Sequence, residues 1–171
     1  MDAGAIQALV AALLLSAQSL TGYTAPAAPP AIAFLPQGEL ALRACAGPCA
    51  VYGWFPPGHT IYLDERLDPL EDLQARAILL HELVHFLQQE NGALAGPRSC
   101  RTWLKREHEA FEVERRWLIA QPGAGGAGGL ARARAPRVPL GRFCRDEPPA
   151  QEGAKALPAR LPGPADAIRP R

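Results

Sequence analysis

Two features are missing from the start of this 171-residue sequence: a basic residue before Arg43, and an apolar run longer than the ten residues from Ala8 to Ala17. A secretory signal peptide begins with a positively charged segment, and a membrane-spanning helix needs about 20 apolar residues. No transmembrane segment is therefore predicted. Apolar residues recur at helical spacing, which indicates either a packed N-terminal helix or a weak signal-like segment over residues 1–22. The recurring positions are Leu9, Leu13, Ser16, Ala17 and Leu20.

The last 51 residues, 121–171, lack a hydrophobic period and contain nine prolines and eight glycines. This composition predicts a largely disordered tail, because such a segment buries too little apolar surface to fold. The tail carries nine basic and four acidic side chains, whereas residues 1–120 carry nine basic and thirteen acidic ones. A basic tail can bind nucleic acid or anionic lipid, but this one has a single aromatic residue, Phe143, among its charges and no folded motif. We therefore expect a solvated tail and no specific nucleic-acid partner.

The chain contains only four cysteines, Cys45, Cys49, Cys100 and Cys144, and they lack the paired C-x-x-C spacing of a thiolate zinc site. Their even number favours disulfides and an oxidising compartment, which points to a periplasmic or secreted protein. Three pairings are possible, and the pairing of Cys45 with Cys49 and Cys100 with Cys144 closes the shortest first loop. The second of these bonds would join the tail to the domain. Four reduced, buried thiols are the alternative.

Residues 1–120 are long enough for one domain with its own core, and they predict an α+β fold. AIAFL at residues 31–35 predicts a strand, and a short helix is predicted over about residues 39–46. AVYGWF and TIYL are β-prone runs separated by the turn residues PPGH, which is typical of a hairpin.

A long helix is predicted to follow the hairpin. Asp68 suits the N-cap and Pro69 the first helical position, while Glu71 lies where a carboxylate can reach back to the cap. Asn91 and the glycine after it supply the stop. The predicted helix is thus about 23 residues long, or roughly 35 Å at 1.5 Å per residue.

HELVHFLQ, residues 81–88, lies where apolar residues occupy every side of this helix, which predicts burial. Residues four apart on a helix point the same way, so His81 and His85 can offer two imidazole nitrogens to one ion. Zinc suits two imidazoles and a carboxylate with one open position. Glu82 could then take a proton from a metal-activated water. The alternative is a pair of core histidines satisfied by their neighbours.

A further helix is predicted over about residues 102–120, with Glu107 and Glu114 in the middle of its apolar face. A cation removes the cost of burying a bare carboxylate, so Glu107 is the predicted third ligand. Glu114 is predicted to accept a hydrogen bond from a ligand histidine. Glu109 and Glu112 fall outside that face, so Glu109→Gln is expected to spare zinc affinity. The face itself comprises Trp103, Ala110, Phe111, Trp117 and Leu118.

These motifs resemble metallopeptidase signatures. HELVH matches the HExxH pattern of zincins, and the stretch from Glu107 to Ala110 resembles the E-x-x-A arrangement of gluzincins. HELVHFLQ followed by CRTWLKREHEAFEVERRWL resembles, more closely, an uncharacterised bacterial family with HELVHYLQ and EREAY-type motifs. TGYTAPAAPP and TIYLDE resemble the same family, and the likeness covers about residues 10–120. Phe111 and Glu114 stand where that family has a tyrosine and a glutamine.

The resemblance implies a small zincin-like core, a Zn²⁺ cofactor and hydrolysis of a peptide or protein substrate. The residues alone indicate only a metal-activated water. A catalytically silent zinc-containing binding or structural protein is the alternative, and Glu82, which would ligate nothing, favours the enzyme. Tyr52 and Tyr62 could stabilise an oxyanion, although strand packing is favoured for both. His59 and His108 are predicted to be solvated.

Overall fold

The computed structural model describes residues 2–45, 49–93 and 99–122, and it confirms the α+β fold. Within those residues, four helices accompany a three-stranded mixed sheet of order β1-β3-β2, in which β1 runs parallel and β2 antiparallel to β3. The predicted strand, short helix and hairpin are confirmed. The elements are α1 (Ala3–Thr21), β1 (Ala31–Leu35), α2 (Gln37–Cys45), β2 (Gly53–Trp54), β3 (Thr60–Asp64), α3 (Leu73–Glu90) and α4 (Cys100–Ala120).

The N-terminal apolar segment forms α1, a helix of 19 residues that extends well beyond the ten-residue run. Asp2 caps it by accepting a hydrogen bond from the amide of Gly4 at 2.9 Å, and Gly22 ends it with a positive φ of 79°. The helix is long and apolar enough to cross a membrane, a test that buried core helices and signal sequences also pass. The expectation of no transmembrane segment therefore stays a prediction.

One face of α1 packs into the main hydrophobic core, against α3 and α4. The predicted periodicity locates this face only in part, because Ile6, Val10 and Leu14 are also buried. Ser16 lies at its border and is only partly buried. The buried residues of α1 are Ile6, Val10, Leu13, Leu14 and Ala17.

The helix α3 begins at Leu73, so the predicted start after Asp68 is wrong. Asp72 is the N-cap, and its Oδ1 accepts hydrogen bonds from the amides two and three residues further on, at 2.6 and 3.2 Å. Asp68 caps a separate turn, in which its Oδ1 accepts from the amide of Leu70 at 3.0 Å. The predicted end at Asn91 is confirmed.

The middle of α3 is the centre of the domain. Every residue from 79 to 88 is buried, and α3 contacts α1, α4 and the strands β2 and β3. The turn between β2 and β3 is fixed to the end of α3, because the Gln89 side chain accepts from the amide of Gly58 at 3.0 Å and donates to its carbonyl at 2.8 Å. This pair of hydrogen bonds holds the hairpin beside the buried stretch.

The helix α4 lies where the sequence predicts it, but its buried face differs. Phe111 is 44% exposed, so its assignment to the apolar face is wrong, whereas Val113 is buried and was not included. A helical wheel gives the direction of a side chain but not the distance to a neighbouring helix. The buried residues of α4 are Cys100, Ala110, Val113, Glu114, Trp117 and Leu118.

Cys45 and Cys49 form a disulfide with a Cα–Cα distance of 6.4 Å, which confirms the expectation of disulfides, selects the pairing with the shortest first loop for these two, and excludes reduced thiols at those positions. The bond lies at the end of α2, and both cysteines pack on a small second cluster formed by Leu40, Ala41 and Val51. Cys144 and the tail from residue 123 lie outside the described residues. The pairing of Cys100 with Cys144 and the disordered tail therefore stay predictions.

Candidate metal centre

The two histidines of α3 point at one place. They lie one helical turn apart, and their Nε2 atoms are 3.1 Å from each other. His81 and His85 are each 8% exposed, in the buried section of α3, where most of the other residues are apolar. Two polar rings in such surroundings need partners, since burying an unsatisfied polar group is costly.

The structure brings Glu107 of α4 to this place. Its Oε2 lies 3.4 Å from the Nε2 of His81, and its Oε1 lies 3.4 Å from the Nε2 of His85. With ligand bonds of roughly 2.0–2.2 Å, the donor atoms around a tetrahedral zinc ion lie about 3.3–3.6 Å apart. The separations of 3.1, 3.4 and 3.4 Å are close to that spacing, with the two from Glu107 starting at different oxygens. With one ligand atom from each residue, the three atoms lie within 4.8 Å of one another, so these residues can hold a metal ion.

The outer nitrogen of each ring faces an acceptor. The Nδ1 of His81 lies 3.2 Å from Oε2 of Glu114, and the Nδ1 of His85 lies 2.9 Å from Oε1 of Gln88. A neutral imidazole that donates from Nδ1 has a lone pair on Nε2. Two lone pairs and the Glu107 carboxylate thus converge on one point, where either a metal cation or a proton on one ring satisfies them.

The orientation of the Gln88 amide is fixed by its other partners. Its Nε2 donates to the backbone oxygen of Arg106 at 3.0 Å and to Oε2 of Glu109 at 2.8 Å. Its Oε1 accepts from the Nε of Arg106 at 3.2 Å. The oxygen must therefore face His85, so the Nδ1 of that ring carries the hydrogen and the Nε2 is free to bind a metal.

The structure corrects the place assigned to Glu109. The side chain is partly buried, and besides Gln88 it binds the hydroxyl of Tyr23, which lies 2.9 and 3.1 Å from its two carboxylate oxygens. Glu109 is therefore two hydrogen bonds away from His85. The expectation that Glu109→Gln spares zinc affinity has lost its basis, because that substitution removes a charge from this network. Glu112 does lie outside the centre, paired with Arg115 at 2.5 Å.

The charges at the centre favour a cation. Burial lowers the pKa of His81, but hydrogen bonds to Glu107 and Glu114 outweigh that effect and raise the pKa to about 10. Burial raises the pKa of Glu107, yet the neighbouring charge of His85 and a hydrogen bond to His81 hold it well below its usual range. A proton on His81 thus supplies, in the absence of a metal, the positive charge that the carboxylates require.

Glu82 lies next to His81 on α3 and is 7% exposed. Its side chain packs against the backbone of Gly53 in β2. A Cβ atom added to Gly53 would lie 2.8 Å from Oε1 of Glu82 and 3.0 Å from Ile78. Burial raises the pKa of Glu82 above that of an ordinary glutamate. The carboxyl group of Glu82 therefore fits at this position because Gly53 has no side chain.

One aromatic ring lies at the mouth of the centre. The centroid of Phe111 is 4.5 Å from that of His81, with the ring planes inclined by 61°. Because Phe111 is 44% exposed, it covers one side of His81 while presenting its other surface to solvent.

The remaining sequence candidates lie apart from the three converging side chains. Tyr62 stacks on Trp54 with a centroid distance of 5.5 Å, which confirms the favoured packing role for that residue. Tyr52 is 50% exposed. His59 and His108 are exposed, as predicted.

Sequence reasoning missed four residues around the centre: Tyr23, Gly53, Gln88 and Glu109. Gln88 could have been found, since it follows His85 by three positions and so shares its helix face. The other three come from segments whose placement against α3 is a property of the fold.

No family model, curated protein or solved structure matches this chain. Function must therefore be inferred from the residues of the centre.

Proposed function

We propose that this chain is a zinc-dependent metallopeptidase of the gluzincin type, with His81, His85 and Glu107 as metal ligands and Glu82 as the general base. The main support is the convergence of three ligand atoms within 4.8 Å of one another, two from α3 and one from α4. Two imidazoles and one carboxylate are a donor set typical of catalytic zinc, which keeps a fourth position open.

The residues of the centre have separate tasks in this proposal. When bound, zinc would lower the pKa of a water molecule and polarise the substrate carbonyl. Glu114 and Gln88 hold the two ligand rings in the orientation that directs Nε2 at the ion. Glu82 takes the proton of the attacking water on a carboxylate oxygen and gives it to the leaving amine.

A peptide or protein substrate is proposed from the likeness of HELVHFLQ to the HExxH signature, since metal-activated water can hydrolyse other bonds as well. The donor set also bears on the choice of metal, because neutral imidazole with one carboxylate suits zinc, whereas calcium and magnesium prefer ligands made of oxygen alone.

The metal site is tested by elemental analysis of the purified full-length chain. We expect about one zinc per chain in the wild type, and a large loss of zinc affinity in His81→Ala and Glu107→Gln. His108→Ala is the matched control, because His108 is an exposed histidine on α4. A folded wild type that fails to bind added zinc would exclude the site.

The reaction is tested with Glu82→Gln and a peptide library. This variant should bind zinc as the wild type does and lose nearly all turnover, because glutamine cannot accept the proton of water. Zinc binding without cleavage of any peptide by the wild type would favour the alternative, a catalytically silent zinc-containing binding or structural protein. Turnover that persists in Glu82→Gln would exclude Glu82 as the base.

A further inference from the structure

A chain of hydrogen bonds leads from the metal centre to the residue just beyond α1. The Nδ1 of His85 donates to Gln88 at 2.9 Å, Gln88 donates to Glu109 at 2.8 Å, and the hydroxyl of Tyr23 donates to the same carboxylate at 2.9 Å. The three side chains between the metal centre and α1 thus come from α3, α4 and the segment after α1. We refer to these four residues as the relay.

Each residue of the relay holds in place the side chain that is one step nearer to the metal centre. Gln88 is 1% exposed, and its nitrogen donates both to Glu109 and to the backbone oxygen of Arg106, so the two acceptors together keep its oxygen towards His85. Glu109 is only partly buried, so a second donor is needed to keep its carboxylate against Gln88 and away from solvent. Tyr23 supplies that donor. Burial, together with the hydrogen bond to Glu109, raises the pKa of Tyr23 to about 12, so its hydroxyl keeps its proton at neutral pH.

The position of Tyr23 is itself well fixed. Its amide donates to the hydroxyl of Thr21 at 3.2 Å, in the turn made by Gly22. The next residue, Thr24, exchanges two hydrogen bonds with the side chain of Asn91, at 3.0 and 2.9 Å. The segment after α1 is therefore attached to the end of α3, the helix that carries both histidines.

We infer that Tyr23 is a positioning residue for the metal centre, acting through Glu109 and Gln88 on the orientation of His85. This inference rests on the proposed zinc site. Loss of the Tyr23 hydroxyl would release Glu109 towards solvent and leave the Gln88 nitrogen with one acceptor, the backbone oxygen of Arg106. An amide held by Arg106 alone is less firmly fixed, and any turn of its nitrogen towards His85 would favour the tautomer that cannot bind the ion through Nε2.

The test is zinc affinity and the visible spectrum of the cobalt-substituted protein, measured on the full-length chain. Tyr23→Phe changes neither charge nor ring, and we expect its zinc Kd to rise about three- to tenfold. Loss of a direct partner of a ligand histidine typically costs roughly 10–100-fold. Tyr62→Phe is the matched control, since that ring stacks on Trp54 away from the relay. Altered cobalt bands in Tyr23→Phe alone would show that the ligand geometry has changed.

A second pair of variants tests the inference in case Tyr23→Phe fails to fold. Glu109→Gln should weaken zinc binding more than Glu112→Gln, although both remove one negative charge from α4. The melting temperatures of all four metal-free variants show whether each is folded. Wild-type affinity and an unchanged cobalt spectrum in both Tyr23→Phe and Glu109→Gln would overturn the inference and leave the zinc site intact. A wild type that binds no zinc would overturn both.

Discussion

The backbone of Gly53 lies against the side chain of Glu82, so close that a Cβ atom on Gly53 would stand 2.8 Å from a carboxylate oxygen. The edge strand β2 and the proposed general base are therefore in direct steric contact. A shift of β2 would therefore displace the side chain of Glu82, and a larger side chain at Gly53 would do the same.

Gly53→Ala is expected to retain zinc and lose turnover. The new methyl group must displace Glu82 or move β2, and a misplacement of about 1 Å can reduce a rate roughly a hundredfold. We expect the stability of the protein to fall as well, by about 1–3 kcal/mol, as for other overpacked positions. Zinc affinity, kcat and urea unfolding are the measurements. Gly38→Ala is the control, because nothing lies within 4 Å of a Cβ atom there. Unchanged kcat in Gly53→Ala would contradict the steric argument.

The packing of α1 can be tested with two leucines of the same helix. Leu13 is 3% exposed in the main core and Leu15 is 68% exposed. Leu13→Ala should lower the free energy of unfolding by about 2–5 kcal/mol, because it leaves a cavity. Leu15→Ala should change it by less than about 0.5 kcal/mol. Equal, small effects of both substitutions would mean that α1 does not pack on α3 and α4.

Stability should depend on pH through Asp64. Hydrogen bonds from Arg66 lower the pKa of Asp64, whose side chain is completely buried, against the opposing effect of burial. A carboxyl group whose pKa is lower in the folded state stabilises the protein above its unfolded pKa of about 4. That contribution is lost as the pH falls through the lower, folded pKa. Urea unfolding between pH 2 and 7 should therefore show a smaller acid dependence in Asp64→Asn than in the wild type.

Glu65→Gln is the control for Asp64→Asn, since Glu65 is an exposed carboxylate next in the chain. It should keep the acid dependence of the wild type. Parallel pH profiles for the wild type and Asp64→Asn below pH 4 would show that Asp64 does not carry this effect.

Removal of metal should lower the thermal stability of the wild type. A ligand present at about a hundredfold above its Kd stabilises the folded state by roughly 2.7 kcal/mol, which corresponds to about 10 °C in Tm for a domain of this size. Calorimetry before and after a chelator measures the shift, and readdition of zinc should reverse it. His81→Ala should melt at the same temperature with and without the chelator. A wild type that shows no shift either would contradict metal-linked stability.

The parts of the centre that follow from spacing along one helix could be predicted from the sequence. His81 and His85 are four residues apart, and Glu107 is a carboxylate in the middle of an apolar face. Both patterns are local, and in both cases the structure brings these side chains together. Glu114 faces the outer nitrogen of His81 for the same reason.

The other features of the centre and of the fold depend on how separate helices and segments pack against one another. Glu109 lies among polar residues on a helical wheel, and only the approach of Tyr23 and Gln88 from two other segments gives it a role. The predicted start of α3 is wrong for a different reason. Asp68 and Asp72 are both good N-caps, and each does cap a turn. Local chemistry could not decide which of the two turns continues as the helix.

The ten consecutive buried residues of α3, from 79 to 88, form the centre of the core and include the two proposed ligand histidines. Amide hydrogens in such a stretch exchange with solvent water only when the whole domain opens. The slowest-exchanging hydrogens of the molecule should therefore map onto HELVHFLQ. Loss of the folded core and loss of the proposed metal site would then be a single event.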